Sequence, residues 1–209
     1  MIHLLLNSEA PPVAEIATRF GGLPLVPSES QFQWPCCSTC NGAMQFLGQI
    51  VLHDGDATRL VLIFMCQNDP GLCEEWDANA GGNHATVMTI EGEMRLADAP
   101  PTGVVQLDTV YGARVEVLEA ADYDSARQRW QDTNPNQQRQ ILGQIEGQPL
   151  WLQADESPVC DACGDAMSFL AQLEEGPDYR TSMNFGGGGC AYVFRCHCSR
   201  QGAKLLWQC

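Results

Sequence analysis

Positive charge is scarce. Eleven lysines and arginines stand against 26 aspartates and glutamates, for a net charge of −15. Nucleic-acid affinity rests on neutralising phosphates with Lys and Arg. The chain has no basic cluster, so DNA and RNA are excluded as partners. The same charge permits a basic protein partner, and in the plainer reading it only keeps the protein soluble. Histidine is also scarce: His3, His53, His84 and His197 are the four, and none lies in a nucleophile–base motif. A Gly-x-Ser-x-Gly elbow is missing. The run "FGGGGC" lacks the Lys-Ser/Thr of a phosphate loop and does not lead from a strand into a helix, so it reads as a turn. "DGD" at Asp54–Asp56 and "DYDS" at Asp122–Ser125 fall short of a calcium ligand ladder. No apolar run approaches the roughly 20 residues that span a bilayer. The opening "MIHLLLNSEAPP" lacks a basic n-region and is too short for a signal h-region. The chain therefore reads as cytoplasmic, without a membrane partner and without a catalytic constellation.

Cysteine is what the sequence has in excess, with eleven in 209 residues. A secreted disulfide scaffold suits shorter chains with a secretion signal; without one, paired Cys-x2-Cys spacings favour metal. They come twice, each followed by nearly the same residues: "CNGAMQFLGQI" from Cys40 and "CGDAMSFLAQL" from Cys163. The likeness extends outward. "GGLPLVPSESQFQWPCC" precedes the first and "EGQPLWLQADESPVC" the second. "RLVLIFMC" ends at Cys66 and "CAYVFRC" at Cys196, with Phe64 and Phe194 two residues before. An internal repeat implies two related units, often packed about a pseudo-twofold axis. The expected halves are residues 1–121 and 122–209, joined as one compact two-lobed body. Units of roughly 100 residues bury a smaller share of their surface, so staples help them.

The first unit offers Cys37, Cys40, Cys66 and Cys73; the second offers Cys160, Cys163, Cys196 and Cys198. Zinc takes four such ligands as a tetrahedron with Zn–S near ~2.3 Å, and a four-thiolate site leaves no open position. The expectation is two structural Zn2+ sites. The second pairs differ in spacing, Cys-x6-Cys against Cys-x-Cys, which leaves His84 or His197 as alternative fourth ligands. Alignment sets Cys36 against Val159, outside the ligand set; Cys190 and Cys209 are also spare. Filling both sites turns eight thiols into thiolates and adds two divalent ions, taking the charge to roughly −19. Thiol redox chemistry is the competing use of these cysteines, although a strand follows each Cys-x2-Cys where a redox motif opens a helix.

The coarse pattern predicts a strand-rich α+β fold in which each half carries zinc-ribbon-like knuckles. Helices are expected over Pro11–Phe20 and from Asp122 to Trp130, the latter capped by Asp122 or Asp124 and stopping before Pro135. "MQFLGQIVLH" and "RLVLIFM" read as strands about a "DGDAT" turn, with "TVMTI" strand-like beyond them. "VVQLDTV" and "ARVEVLEA" read as a hairpin turning at Tyr111-Gly112. Alternation places Met44 and Phe46 on one strand face, shielding the metal sulfurs, with Gln45, Leu47 and Gln49 on the other. Gln49 and Gln172 recur and read as buried bridges to neighbouring backbone. The loop from Cys66 to His84 reads as the wall of the metal site, with a recognition surface as the alternative.

Gly-Gly-x-Pro, Trp-Pro, Cys-x2-Cys, "AMQFLGQI" and "FMC" together resemble bacterial YwqG-like proteins, a domain family of unknown function. The second half is similar both to that family and to the C-terminal region of eukaryotic programmed-cell-death-2 proteins. The resemblance covers about Gly21–Trp76 and Gln144–Cys198. It implies two related strand-rich halves, with Cys37, Cys40, Cys66, Cys160, Cys163 and Cys196 as ligands. The programmed-cell-death-2 relatives are zinc-containing chaperones that escort a new ribosomal protein. This chain lacks their long insertions and MYND-type finger. The reading that follows is a non-enzymatic, zinc-binding, chaperone-like module for a basic protein. Two alternatives stand beside it: a thiol sensor or enzyme using Cys36, Cys190 or Cys209, and a small-molecule binder in a cleft between the halves.

Overall fold

The computed structural model of the protein describes residues 1–13, 15–55, 57–102, 110–178, 183–198 and 202–209. In chain order their elements are β1 (Ile2–Ser8), β2 (Arg19–Gly21), β3 (Leu25–Pro27), β4 (Gln45–Asp54), β5 (Ala57–Met65), β6 (Asn83–Thr89), β7 (Met94–Leu96), β8 (Val110–Leu118), α1 (Tyr123–Thr133), a 3-10 turn (Gln138–Gln140), β9 (Ile141–Ile145), β10 (Ser168–Leu173), β11 (Cys190–Arg195) and β12 (Gly202–Gln208).

The expected α+β class gives way to a nearly all-β one. Ten strands close into one antiparallel barrel in the order β1-β8-β2-β4-β5-β6-β12-β11-β10-β9, and β9 returns to β1. Both cysteine-bearing segments contribute to this one barrel. Closure gives each of these strands a neighbour on both sides. The barrel is filled by Leu5, Phe20, Leu47, Ile50, Val61, Ile63, Leu170, Leu173, Phe185, Val193 and Leu205. Outside it, β3 and β7 form a small separate sheet over Leu60, Leu62 and Phe64.

One α-helix occurs among the described residues. In α1, Asp122 accepts from the Ser125 N–H at 2.8 Å, and the helix ends at Asn134, before Pro135. Tyr123, Ala126 and Trp130 form its buried stripe against Ile2, Leu4 and Leu6 of β1. The helix expected over Pro11–Phe20 does not form. Val13 and Ile16 are exposed, so its apolar residues make no buried stripe. Instead Arg19–Gly21 joins the barrel between β8 and β4. The buried Arg19 guanidinium donates to the carbonyls of Val13 (3.0 Å) and Leu23 (3.2 Å), which fixes the approach. The turn expected at Tyr111-Gly112 is also absent, because both residues lie inside β8. Residues 104–109 of the proposed partner strand, and Asp56 of the 54–58 turn, fall outside the described residues.

Candidate metal centres

Each cysteine pair is built by local backbone geometry that recurs in both segments. The Cys37 N–H donates to the Gly42 carbonyl (2.9 Å) and the Cys160 N–H to that of Asp165 (2.9 Å). The chain turns through positive φ just after the second cysteine, at Asn41 (58°) and Gly164 (78°). Asn and Gly are the residues that tolerate that region. Met44 N–H donates to the Pro35 carbonyl and Met167 N–H to that of Pro158, both at 2.9 Å. Cys36 bridges Ala43 as Val159 bridges Ala166. The far pair is set alike: Cys66 N–H reaches the Gly82 carbonyl and Cys196 N–H that of Gly202, both at 2.8 Å.

These bonds bring the sequence-predicted cysteines together. The sulfurs of Cys37, Cys40, Cys66 and Cys73 all lie within 4.8 Å of one another, and so do those of Cys160, Cys163, Cys196 and Cys198. Individual separations are 3.7 Å for Cys40–Cys66, 3.5 Å for Cys163–Cys196 and 3.9 Å for Cys160–Cys198. An ideal ZnS4 tetrahedron with ~2.3 Å bonds has edges of about 3.8 Å. A disulfide would need ~2.05 Å, and all eleven cysteines are unbridged. His84 and His197 are not members of either group. Cys36 and Cys209 stand exposed and Cys190 is buried, all three apart from the tetrads.

The thiols are electrostatically uneven. The Gly42 N–H draws Cys40 down to about 7, whereas burial pushes Cys66 and Cys73 up. N–H groups of Ala162 and Cys163 draw Cys160 down to about 7. Cys163, despite the Asp165 N–H that lowers it, is carried up to about 12 by the Cys196 thiol and by burial. Such an array ionises one thiol first and gives up the remaining protons when a soft cation arrives. Asn68, which the spacing of cysteines could not reveal, donates its amide to Cys40 Sγ and Cys66 Sγ, both at 3.4 Å. The Cys198 N–H donates to Cys196 Sγ at 3.3 Å. N–H donors of this kind spread thiolate charge and orient the ligands.

Met44, Phe46 and Phe64 pack with Cys37, Cys66 and Cys73; Met167, Tyr192 and Phe194 pack with Cys160 and Cys196. Strict alternation along β4 does not hold. A bulge between Phe46 and Gly48, matched by one between Phe169 and Ala171, shifts the register by one residue. Leu47 and Ile50 therefore both face the barrel interior, and Gln49 turns outward with Phe46. Its Oε1 accepts from the Leu25 N–H at 3.1 Å, as Gln172 Oε1 accepts from the Leu150 N–H at 2.9 Å. The recurring glutamines thus hold the Gly-x-Pro-Leu segments to the barrel.

The two tetrads are linked. Cys66 and Gly82 enclose a longer loop than Cys196 and Gly202, and the extra length crosses to β12. Trp207 N–H donates to the Trp76 carbonyl (3.1 Å), and the Trp76 and Trp207 rings meet edge to face at 6.3 Å. Lys204 Nζ, nearly buried, donates to Asn79 Oδ1 of that loop (2.6 Å) and to Asp161 Oδ1 (2.7 Å), inside the Cys160–Cys163 knuckle. Lys204→Met keeps the volume and removes both bonds. It is expected to cost about 1–3 kcal/mol, discounted toward the low end because Asp161 is solvent-exposed. The check is a denaturant melt together with zinc-release rates, which should rise at both sites.

Two clefts are lined by residues outside the tetrads. One of 380 Å³ lies where Trp76–Asn79 meets Glu156–Val159. Another of 390 Å³, beside α1, contains Tyr123, Arg127, Gln172, Glu174 and Cys190. Tyr123 Oη donates to Glu174 Oε1 (2.6 Å), and the Arg127 guanidinium pairs with the same carboxylate (2.7 Å). Burial pushes Glu174 up from its ordinary range and Cys190 up to about 11.

No protein-family model matches the chain, and no curated protein matches it at a significant level. Among the described residues no helix is long and apolar enough to cross a membrane.

Proposed function

We propose that the chain is a non-enzymatic binding protein of the chaperone-like kind, stapled by two structural zinc ions, and that its partner is a basic protein. The observation that carries this is the pair of all-cysteine tetrads, whose sulfur spacing fits a closed ZnS4 site with no position left for substrate. The cysteines present would hold the ion; zinc would supply cross-linking of the knuckles, and no step of chemistry passes through it. The backbone bonds that recur between residues 22–82 and 147–202 support reading them as two copies of one unit, as the resemblance to YwqG-like and programmed-cell-death-2 proteins implies. The charge of −15 supports a basic partner and opposes nucleic acid.

Two experiments test this reading. A Cys36→Ser/Cys190→Ala/Cys209→Ser variant is expected to keep its fold and full metal content, measured by circular dichroism and elemental analysis. Loss of metal would move the chemistry to the spare thiols. Titration with a basic polypeptide is expected to show saturable binding that weakens steeply with salt; no binding at low salt would sink the partner class.

A second reading, a binder of a small polar ligand, is favoured by the cleft beside α1. The cross-strand pair Val51↔Leu60 of β4–β5 corresponds to Glu174 and Cys190, one step beyond Leu173↔Ala191. An apolar pair has been exchanged for two titratable groups at a concave site, the kind of place where ligands bind.

A further inference from the structure

The two cysteine segments differ in how their outer faces are covered. Around the first tetrad, the Phe64 ring lies under Phe32 (6.2 Å, stacked) and Trp34 (5.7 Å, edge-on), and Trp34 Nε1 donates to the Met44 carbonyl at 2.7 Å. Strands β3 and β7 extend this cover. The bridge register (Cys36 with Ala43, Val159 with Ala166) sets Pro158 against Pro35. It therefore sets Ser157 where Trp34 stands and Asp155 where Phe32 stands. Neither of these two positions is aromatic in the second segment, where Trp151 instead stacks on the buried Phe194 ring at 5.9 Å. In their place is a groove of 540 Å³, whose lining includes Trp151, Asp155, Ser157, Met167, Phe169 and Phe194. Exposure follows the missing lid. Leu25, Ala43 and Phe46 are buried, whereas Leu150 and Phe169 are half-buried and Ala166 is exposed.

From this we infer that the groove beside the second tetrad is a docking site for an extended segment of the protein partner. That segment carries an aromatic residue, tryptophan above all, next to proline, with a basic residue alongside. The inference rests on the proposed binding function and names the site and motif for it. The occupant's chemistry is the one the chain itself supplies at the first tetrad, Phe32-Gln33-Trp34-Pro35. An indole seated in the same register would lie against the half-buried rings of Trp151 and Phe169 that line the groove. Its N–H would reach the Met167 carbonyl, the counterpart of Met44's. Asp155 sets the charge preference. Its carboxylate accepts from the Ser157 N–H at 2.9 Å, and the Ser157 side chain together with that N–H holds it below its ordinary range, so it stays ionised at the groove's rim. Burying an aromatic ring against aromatic walls supplies the anchor that interfaces most often use.

The test uses the full zinc-loaded chain and a labelled synthetic peptide, Lys-Lys-Gln-Phe-Gln-Trp-Pro-Lys-Lys, followed by anisotropy and by the NMR methyl signal of Met167. Saturable binding is expected, with Met167 shifting on binding. Replacing the peptide's tryptophan by alanine should weaken it at least tenfold. Ser157→Trp, which restores the lid, should abolish binding, and the surface change Asp155→Lys should weaken it at least fivefold even if the first variant folds poorly. Binding that survives both variants with Met167 unmoved would overturn the groove while leaving a basic partner standing. If the tryptophan peptide binds no better than an all-lysine peptide that itself binds, the groove is likewise overturned and the charge-based reading kept. Binding of neither peptide would remove both.

Discussion

Chelation is expected to unfold this protein outright. Treatment with a chelator able to strip zinc from four thiolates should abolish the cooperative thermal transition and the near-ultraviolet circular dichroism, and readding zinc should restore them. The expectation follows from magnitudes. Structural zinc contributes an apparent ~10–16 kcal/mol in small peptides at pH 7, against about 5–15 kcal/mol for the whole stability of a typical domain. Each tetrad ties the knuckle before one barrel strand to the far end of the next: Cys37 and Cys40 precede β4, and Cys66 follows β5; Cys160 and Cys163 precede β10, and Cys196 follows β11. Without the ion, each tetrad holds four thiols in near contact with no covalent bond among them. Acid should act in the same direction. Metal binds thiolate, so protons compete with it. Cys40 and Cys160 lie below the ordinary thiol value. The stability they add is therefore present above that value and lost as pH falls through about 7, and bound metal moves the loss to lower pH. Zinc retained per chain, measured after equilibration at stepped pH, should fall monotonically on acidification. A native melt unchanged by chelation would show that the barrel stands without its staples.

Phe64→Ala is the second large effect expected. The ring is fully buried between Phe32, Trp34 and Phe46 and lies two residues before Cys66. Truncating such a ring removes its transfer energy and leaves a cavity, together costing about 3–5 kcal/mol. At 1.4 kcal/mol per tenfold, that is roughly a hundredfold to several-thousandfold in the folding equilibrium. The first tetrad should lose zinc faster than the second. Phe194→Ala, at the equivalent place in the second segment, should cost about as much, because that ring is also buried, stacked under Trp151 at 5.9 Å with Phe169 edge-on to it, and there the second tetrad should lose zinc faster. Parallel denaturant titrations check this; a near-neutral Phe194→Ala would mean that Trp151 does not cover that ring in solution.

The two cysteine tetrads were legible because metal chemistry constrains the spacing of its ligands tightly. Two thiols on one turn span one tetrahedron edge, and nothing else requires that pattern twice with the same flanking residues. The exclusion of Cys36 was legible from alignment with Val159. The barrel was not. Strands β4, β5 and β11 are readable as β-branched and aromatic runs, but closure depends on which edges meet. Among the described residues β6 joins β12 through the pairs Gly202↔Thr86 and Ala203↔Ala85, a register no local pattern encodes. The false helix at Pro11–Phe20 came from a proline start and a glycine stop; tertiary pairing of Arg19–Gly21 outweighed them. The side assigned to Gln49 failed for a subtler reason. Alternation assumes an unbroken pleat, and a single bulge at Leu47 reverses every residue beyond it. Asn68 and Lys204 were invisible because each acts across a fold contact, one to sulfur and one between knuckle and loop.

The most direct test of the account is metal content per chain, by elemental analysis of protein purified without a tag or chelator, combined with a count of reactive thiols. Two zinc ions per chain are expected, with Cys36 and Cys209 reacting in the native state and Cys190 joining them on unfolding before the ligands are released. A chain free of metal, with its Cys-x2-Cys pairs oxidised to disulfides, would contradict it.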